Sequence, residues 1–472
     1  MVFSSIVFVL FFFPVFLITY YLVGKKHKNL VLLLFSIVFY AWGAPRFIFF
    51  LVGSVFINFY IVRAMYLTNA RIKKKLWAAL SIAINLGLLA YFKYANFFID
   101  NFNFILESFG ANSIYWTKVV LPIGISFFTF QSLTYTIDVY RKIHRPLKNP
   151  FDFLLYILMF PQMIAGPIVR FQTIADQITE RRETNEDRLL GFYRFVIGLA
   201  KKVLIADVLA FEVDKIMAMD YINLDTNMAW IGIIGYAFQI YFDFSGYSDM
   251  AIGMGRMTGF KFPENFNNPY TSRSITEFWR RWHITLGQFM RDYLYLPLGG
   301  NRVSKPRLYF NLWVVFLISG LWHGADWNFV IWGAYHGLFL IADRVFLLKV
   351  YERIGKAPSI LITFFITIVG WVFFRVEGFE NALTYLERMF AFDFRPVTSQ
   401  LNNHFYFIML MGTIFSFITV FRFGSRMEDR IYKTKLNGKE HLLYFIVSVF
   451  TMVFVIASLA GSGFSPFIYF RF

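Results

Sequence analysis

Three histidines in the stretch Thr271 to Gly337 are the residues whose type and spacing could do chemistry. His283 ends a run that begins at Trp279, His323 follows forty residues later, and His336 lies thirteen residues beyond that. The chain has seven histidines in all, so this window is strongly enriched in them. His323 ends an apolar segment, and an ionisable side chain at membrane depth is costly enough to mark a functional site by default.

The chemistry expected of His323 is that of a neutral imidazole acting as general base or nucleophile. Gly324 follows it and would let backbone or substrate approach closely. The alternative, a core histidine that bonds a neighbouring helix, stays open. His336 lies between Gly333 and Gly337, and these small residues favour a packing role. No His-x-x-x-His or Glu-x-x-His spacing supports a metal site, so none is predicted.

Aromatic and apolar residues at spacings of three and four around His283 predict one amphipathic helix near the cytoplasmic interface. They are Trp279, Trp282, Leu286, Phe289 and Tyr293. His283 would then lie on the flank, between the apolar and polar faces. The opposite face carries Arg280, Arg281 and Arg291, which either meet lipid phosphates or attract a polyanionic cytosolic ligand.

A second polar group runs from Tyr241 to Asp249, which we place at the end of an apolar span. It contains Tyr241, Asp243 and Ser245. These side chains could contact a substrate or orient a histidine. Capping and a charge pair with Arg256 or Arg273 explain them equally well.

The composition predicts a polytopic helical membrane protein that holds these residues in a bilayer. Hydrophobic residues make up 58% of the chain, charged residues 16%, and phenylalanine alone contributes 63 residues. The apolar runs are long and continuous, as in membrane helices and unlike barrel strands. The net charge of +17 fits basic cytoplasmic loops better than nucleic-acid binding. Cysteine is absent, which excludes disulfides and thiolate chemistry.

About twelve crossings are predicted, with the strongly basic loops in the cytoplasm and both ends outside it. The runs are Ile6 to Val23, Asn29 to Gly43, Phe47 to Met65, Leu76 to Phe92, Val119 to Tyr140, Leu190 to Met217, Met228 to Met250, Leu308 to Leu321, Phe329 to Leu348, Ile360 to Phe374, Phe405 to Val420 and Leu442 to Leu459. The chain shows no internal repeat, so we predict one membrane domain, 1–472, with a catalytic core at 191–350.

Four other stretches have their own predictions. Tyr94 to Phe109 is aromatic and should lie in the interface. Phe151 to Gly166 is short and broken by Pro161, as a re-entrant element would be. Arg170 to Arg188 lacks apolar periodicity and is predicted to be a cytoplasmic loop. Arg256 to Arg307 carries nine lysines and arginines against three acids, and should be a large basic cytoplasmic section.

Several motifs together resemble the membrane-bound O-acyltransferase family, in its alginate O-acetylation branch. The branch includes peptidoglycan and cellulose O-acetylation proteins, and the D-alanyl transfer proteins of teichoic acid modification are more distant. The motifs are Tyr241 to Asp249, Asn265 to Tyr270, Phe278 to His283, Arg291 to Tyr293, Ser319 to Gly324 and Pro466 to Phe472.

The resemblance implies a ring of tilted helices around a thin centre, with a tunnel joining a cytosolic pocket to an outer funnel. It implies that His323 is catalytic and that His283 supports it. The donor would be cytosolic acetyl-CoA, with no bound cofactor, and an extracytoplasmic polysaccharide acetyltransferase would be the partner at the plasma (inner) membrane. The residues expected to contact substrate are Trp279, Arg280, Arg281, Trp282, Tyr241, Asp243, Ser245, Trp322 and Asn328.

Two other functions stay open at this point. One is a transporter or flippase whose histidines relay protons, although paired broken helices in two similar halves are missing. The other is an acyltransferase with a different donor, such as a D-alanyl or fatty acyl carrier. In the favoured hypothesis the basic section Arg256 to Arg307 holds the phosphates of coenzyme A. The acetyl arm then reaches His323, while His283 orients the arm or stabilises charge.

Overall fold

The computed structural model describes residues 1–164, 166–395, 401–433, 435–462 and 467–468. All regular structure in these ranges is helical, which confirms the prediction of an all-α membrane protein. Among the described residues, six helices are long and apolar enough to cross a membrane: Phe47–Leu67, Arg71–Ser108, Trp327–Ile354, Lys356–Arg375, Asn403–Val420 and Gly438–Gly461. The count of twelve crossings and the position of both ends stay predictions. Of the predicted motif Pro466 to Phe472, all but Phe467 and Ile468 lies outside the described residues.

The chain divides into two compact units. The first is Met1–Arg188 with Met254–Pro263, and the second is Leu189–Gly253 with Glu264–Phe472. Every residue predicted to belong to the site lies in the second unit. The single domain 1–472 and the catalytic core 191–350 stay predictions.

In the part of the first unit that the structure describes, nine α-helices lie in full. They are α1 Phe13–Leu22, α2 Lys28–Gly43, α3 Phe47–Leu67, α4 Arg71–Leu89, α5 Ala95–Ser108, α6 Ile125–Tyr140, α7 Pro150–Leu158, α8 Phe160–Met163 and α9 Phe171–Thr179. Buried polar side chains join three of them, as is common between apolar helices. The Ser81 hydroxyl bonds both Asn58 on α3 and Thr136 on α6, at 2.5 and 2.7 Å.

The remaining helices supply the second unit, although α10 begins and α12 ends in the first. They are α10 Asn185–Ala200, α11 Asp207–Met217, α12 Thr226–Met257, α13 Ile275–Arg281, α14 Ile284–Met290, α15 Lys305–His323, α16 Trp327–Ala342, α17 Leu348–Ile354, α18 Lys356–Arg375, α19 Phe379–Met389, α20 Asn403–Phe417, α21 Arg422–Lys433 and α22 Gly438–Ser462. π-helical segments join α10 to α11 at Lys201–Ala206 and α16 to α17 at Asp343–Leu347.

The predicted loop Arg170 to Arg188 is wrong in its first half, which forms α9. Four residues at helical spacing lie buried on one face of that helix: Phe171, Ile174, Ala175 and Ile178. This stripe was present in the sequence but was outweighed by the polarity of the surrounding residues. The predicted break in Phe151 to Gly166 is confirmed, since α7 ends and α8 begins around Met159. The aromatic stretch Tyr94 to Phe109 continues the preceding helix through a π-helical segment, Ala90–Tyr94.

Helices α15 and α16 pack so closely that glycine is required at their contact. A Cβ at Gly320 would lie 2.1 Å from the Phe329 carbonyl oxygen, and one at Gly333 would lie 2.3 Å from the Phe316 carbonyl oxygen. No side chain fits at such distances, so the small residues do mark close helix packing, as predicted. This contact fixes α15, and therefore His323 at its end, against α16.

We expect Gly320→Ala to destabilise the protein, because the added methyl group must push the two helix backbones apart. Overpacking of this kind costs about 1–3 kcal/mol, so the melting temperature in detergent should fall by several degrees. The matched control is Gly87→Ala on α4, where a Cβ meets nothing within 4 Å. An equal melting temperature for Gly320→Ala and wild type would contradict the tight contact.

Candidate active site

His323 is the last residue of α15 and lies buried inside a wall of aromatic rings, with 4% of its surface exposed. Its ring centroid is 4.9 Å from that of Trp322, 5.1 Å from Trp332 and 5.2 Å from Phe374. A Cβ at Gly324 would lie 2.1 Å from the Phe329 ring. Glycine at that position therefore lets α15 end directly against α16 and places the imidazole in the apolar core.

The prediction of one continuous helix through His283 is wrong, and so is the placement of His283 on the helix flank. Helix α13 ends at Arg281 and α14 begins at Ile284. His283 lies between them with φ +43°, and only 1% of its surface is exposed. Left-handed backbone is uncommon for a non-glycine residue and often occurs at functional sites. Tertiary hydrogen bonds from the 265–267 segment replace the helical ones and turn the histidine inward.

Asn265 holds the His283 ring in one orientation. Nδ1 of His283 lies 3.0 Å from Oδ1 of Asn265, and that oxygen also accepts from the backbone N–H of Thr285 at 3.2 Å. Since the oxygen must be an acceptor for the amide, Nδ1 of His283 donates and Nε2 carries the lone pair. Burial lowers the pKa of His283 to about 3, so its imidazole is neutral at physiological pH.

The two histidines predicted to do chemistry lie on either side of one tryptophan. The Trp322 ring is 6.0 Å from the His283 ring and 4.9 Å from the His323 ring, measured between centroids. Phe244 on α12 covers another side of His283 at 4.7 Å. Residues forty positions apart in sequence therefore share one buried aromatic enclosure.

His336 occupies a separate aromatic cage next to this enclosure. Its ring lies 5.0 Å from Trp279, 5.1 Å from Trp332 and 5.3 Å from Tyr335, and none of its surface is exposed. Neither ring nitrogen forms a hydrogen bond with the residues that the structure describes. Trp332 contacts both His336 and His323 and so links the two histidines.

Of the other predicted residues in the tryptophan–arginine run, one packs inside the aromatic wall and two lie nearer the protein surface. Trp282 packs 5.0 Å from Trp371 and 6.1 Å from Tyr241, again between ring centroids. Arg281 pairs with Glu277 at 2.6 Å, and Arg280 is exposed. Asn328 is engaged elsewhere, because its side-chain amide donates to the Val376 carbonyl at the end of α18.

The structure differs from the prediction in where Tyr241 to Asp249 lie and in which charges pair with them. These residues lie within α12 and not at its end, because that helix continues to Met257. Asp249 accepts from Lys201 at 2.7 Å and from Arg194 at 2.6 Å, and Asp243 pairs with Lys202 at 2.8 Å. The predicted pairing with Arg256 or Arg273 is therefore wrong. The partners were missed because the lysines and acids meet only when α10 and α12 cross.

Asp243 also accepts from the backbone N–H of Ile468 at 2.8 Å. Ser245 is buried, and its hydroxyl finds no partner in the ranges covered by the structure. Tyr241 reaches the aromatic wall through Trp282. Of these three predicted substrate contacts, Tyr241 is thus the one that the structure brings to the tryptophans around the site.

A polar pocket of about 270 Å³ lies beside α13. Three cations and three carboxylates line it: Arg273, Arg281, Lys356, Glu277, Glu428 and Asp429. Within the described ranges, no group of three or more histidines and acids could hold a metal ion. The pocket therefore suits a ligand that carries both charged and neutral polar groups.

Sequence reasoning missed five residues that contact the histidines or the tryptophans next to them. They are Asn265, Phe244, Trp332, Trp371 and Phe374. Asn265 opens one of the motifs that carried the family resemblance and Phe244 lies within another, and the sequence offered no further signal. The four aromatic residues are not distinguishable by type in a chain of which 21% is aromatic.

Comparison with known proteins identifies the family of the chain. Residues 142–376 match the model of the membrane-bound O-acyltransferase family. The chain is 44% identical over 441 residues to a probable alginate O-acetylase of Pseudomonas aeruginosa, covering 93% of this chain and 84% of that protein. It is 39% identical over 428 residues to the peptidoglycan O-acetyltransferase of Helicobacter pylori, covering 82% and 80%. Similarity to the teichoic acid D-alanyltransferase of Bacillus subtilis is weaker, at 27% over 280 residues, covering 55% and 70%.

The buried, neutral state of His283 predicts a specific dependence of stability on pH. A histidine titrates near 6.5 when unfolded, and the folded value is about 3. The unfolded state therefore binds more protons between these values, and stability is complete above pH 6.5 and falls on acidification. From pH 7 to pH 5 the loss due to His283 should be about 2 kcal/mol.

We expect His283→Asn to lose less stability than wild type over that pH interval, because asparagine tolerates left-handed backbone and does not titrate. The measurement is the melting temperature in detergent at pH 7 and pH 5. The control is His404→Asn at an exposed position, which should follow wild type. Parallel acid sensitivity in wild type and His283→Asn would contradict a buried neutral imidazole.

Proposed function

The chain belongs to the membrane-bound O-acyltransferase family, and from this premise we propose that it moves acetyl groups from cytosolic acetyl-CoA to a polysaccharide outside the cytoplasm. The observation that carries the proposal is the pair of buried histidines on either side of Trp322. The names of the alginate and peptidoglycan relatives support an acetyl donor and a glycan acceptor. The lower similarity to a D-alanyltransferase makes D-alanine the less favoured acyl group.

His323 is proposed as the catalytic residue, acting as base or nucleophile. In the direct route its imidazole takes the proton of the acceptor hydroxyl as the new C–O bond forms and the thioester C–S bond breaks. That proton then passes to the departing thiolate. In the other route the imidazole nitrogen attacks the thioester carbonyl and expels the thiolate of coenzyme A. The acceptor hydroxyl then attacks the acetyl carbon, the C–N bond breaks, and the hydroxyl proton passes to the thiolate. Either role contributes about 10²–10⁴-fold to the rate.

His283 is proposed to orient a reactant. Its Nδ1–H is committed to Asn265, and burial keeps the ring neutral. Nε2 can therefore only accept a hydrogen bond, from an amide of the pantetheine arm or from the acceptor hydroxyl. A neutral acceptor atom cannot stabilise developing negative charge, so this geometry favours orientation over charge stabilisation.

The pocket beside α13 is proposed to receive the polar end of acetyl-CoA. Coenzyme A carries phosphates, amides and hydroxyls, and the lining residues offer cations, carboxylates and amides. Arg281 joins this pocket to the aromatic wall, because it lies next to Trp282 in the chain. A lining of mixed charge fits the phosphates, amides and hydroxyls of the donor better than it fits a bare polyphosphate. The proposed donor site is therefore smaller than the basic section Arg256 to Arg307 that the sequence predicted.

The acceptor side is proposed to lie outside the cytoplasm, with a separate polysaccharide acetyltransferase as partner. The apolar helices support a multi-pass protein, which we place in the plasma (inner) membrane with both ends outside. The excess of positive charge in the predicted cytoplasmic loops supports this orientation.

His323→Ala should lower acetyl transfer by at least 10²-fold while the protein level and melting temperature stay near those of wild type. Loss of the only proposed base or nucleophile removes its whole contribution to the rate. Acetyl-CoA cleavage is measured by thiol release with purified protein in nanodiscs. Glycan O-acetylation is measured by mass spectrometry of glycan from cells that also contain the partner acetyltransferase.

His404→Ala is the control, because His404 is exposed and lies outside the site. Full acetylation by His323→Ala would refute the assignment. Failure of wild type to cleave acetyl-CoA while the glycan gains another acyl group would favour the other donor. Absence of any thioester cleavage or acyl exchange would favour a transporter.

Arg273→Gln should raise KM for acetyl-CoA with little change in kcat, because an exposed cation in the pocket acts on binding alone. Loss of one exposed charge contact, worth about 0.5–1 kcal/mol, corresponds to about a two- to fivefold change. Lys75→Gln, at an exposed cation in the first unit, is the control. An unchanged KM for Arg273→Gln would contradict the proposal that this pocket binds acetyl-CoA.

A further inference from the structure

We propose that Asn265 is a positioning residue that fixes the tautomer of His283 and so decides which ring nitrogen faces the reactants. The inference rests on the proposed function, because it gives His283 a role in that reaction. Asn265 itself lies on the far side of the imidazole from Nε2 and acts only through the ring.

All the polar atoms of the Asn265 side chain are engaged, and the residue is fully buried. Oδ1 faces Nδ1 of His283 at 3.0 Å and accepts from the Thr285 backbone N–H at 3.2 Å and hydroxyl at 2.8 Å. Nδ2 donates to the Ser248 hydroxyl at 3.0 Å. Three separate segments of the second unit therefore meet at this one amide.

The orientation of the Asn265 amide follows from Thr285. A backbone N–H can only donate, whereas the Ser248 hydroxyl can donate or accept. Turning the amide over would set its NH₂ group against the Thr285 N–H, two donors facing each other. Oδ1 must therefore face His283, and Nδ1 of the imidazole must carry the hydrogen.

The backbone around His283 depends on the same residue. The Asn265 carbonyl accepts from the Ile284 N–H at 2.9 Å, and the Asn267 N–H donates to the Arg281 carbonyl at 2.9 Å. These two bonds span the left-handed residue on both sides. Since the side chain of Asn265 bonds the ring and its backbone bonds the next residue, it sets both the position and the tautomer of His283.

Most charged groups on the elements packed against His283 pair with one another. Asp243, Tyr247 and Asp249 lie on α12 with Phe244, and Glu264 precedes Asn265 in the chain. Asp243 is paired with Lys202, while Arg194 pairs with Asp249 and Glu264 and Lys201 also pairs with Asp249. His323 lies across Trp322. A carboxylate introduced at position 265 would put a negative charge in direct contact with the imidazole.

The test is Asn265→Asp in the full-length protein in nanodiscs, with the kcat of acetyl-CoA-dependent transfer measured from pH 5 to pH 8. Aspartate keeps the acceptor oxygen but adds a negative charge that favours the imidazolium form of His283. The imidazolium has no lone pair on Nε2, so activity should be lost as pH falls. We expect the ratio of variant to wild-type kcat to drop at least fivefold between pH 8 and pH 5. Because both proteins contain His323, any effect of its titration cancels in this ratio.

Asn265→Ala is the second variant, and it decides the question if Asn265→Asp does not fold. Removing a hydrogen-bond partner that orients a functional histidine costs about 10–100-fold in activity at metal sites, and we expect a similar fall in kcat. KM for acetyl-CoA should stay within about twofold, because a residue that acts through His283 does not bind the donor. The ratio to wild type should not vary with pH, since no charge has been added.

The matched control is Asn58→Asp, at a buried asparagine in the first unit that bonds Ser81 and Asn85. Its ratio to wild type should be constant across pH. A constant ratio for Asn265→Asp, or wild-type kcat for Asn265→Ala, would overturn the inference. If wild type itself cleaves no acetyl-CoA, the proposed function fails instead, so the two failures are distinguishable.

Discussion

Burial in an apolar wall of aromatic rings favours the uncharged form of an imidazole, and the histidine site of the second unit follows that constraint. His283 satisfies it with one directed hydrogen bond to Asn265 and burial on all other sides. The same enclosure lowers its pKa to about 3, which makes it a poor base and a fixed acceptor. His323 is enclosed by Trp322, Trp332 and Phe374. The two histidines therefore lie in one apolar wall, and apart from Trp322 they contact different rings.

The carboxylates of α12, the helix that supports these rings, are neutralised by ion pairs. Helices α10 and α12 cross where a Cβ at Gly198 would lie 2.4 Å from the Gly246 carbonyl oxygen. That approach places Lys201 within 2.7 Å of Asp249. Helix α12 also carries Phe244 against His283 and Ser248 against Asn265. A buried ion pair contributes little net stability by itself, so its clearest effect here is to hold α12 in one register beside the site.

The sequence was sufficient to predict the fold class and to single out the histidines. It was not sufficient to predict which side chains surround them. In lipid, a long apolar run can satisfy its backbone hydrogen bonds within itself only as a helix, which is why the helices were predictable. The break at His283 was not, because Trp279, Trp282 and Leu286 fit one helical stripe. Only the tertiary bonds from the segment at Asn265 override that local periodicity. Likewise the partners of Asp243 and Asp249 lie more than forty residues away, on a helix whose crossing point no local pattern reveals.

The chemistry proposed for this site explains why neutrality matters for more than stability. An acetyl group has no charge, whereas its carrier has several that must stay in water. If only the thioester end of the carrier enters the aromatic enclosure, the groups that meet it need lone pairs and hydrogens but no formal charges. A lysine or carboxylate there would need a permanent counter-ion, which would occupy the space that the reactants require. Histidine is the side chain that offers a lone pair strong enough for proton transfer while remaining neutral in such a setting.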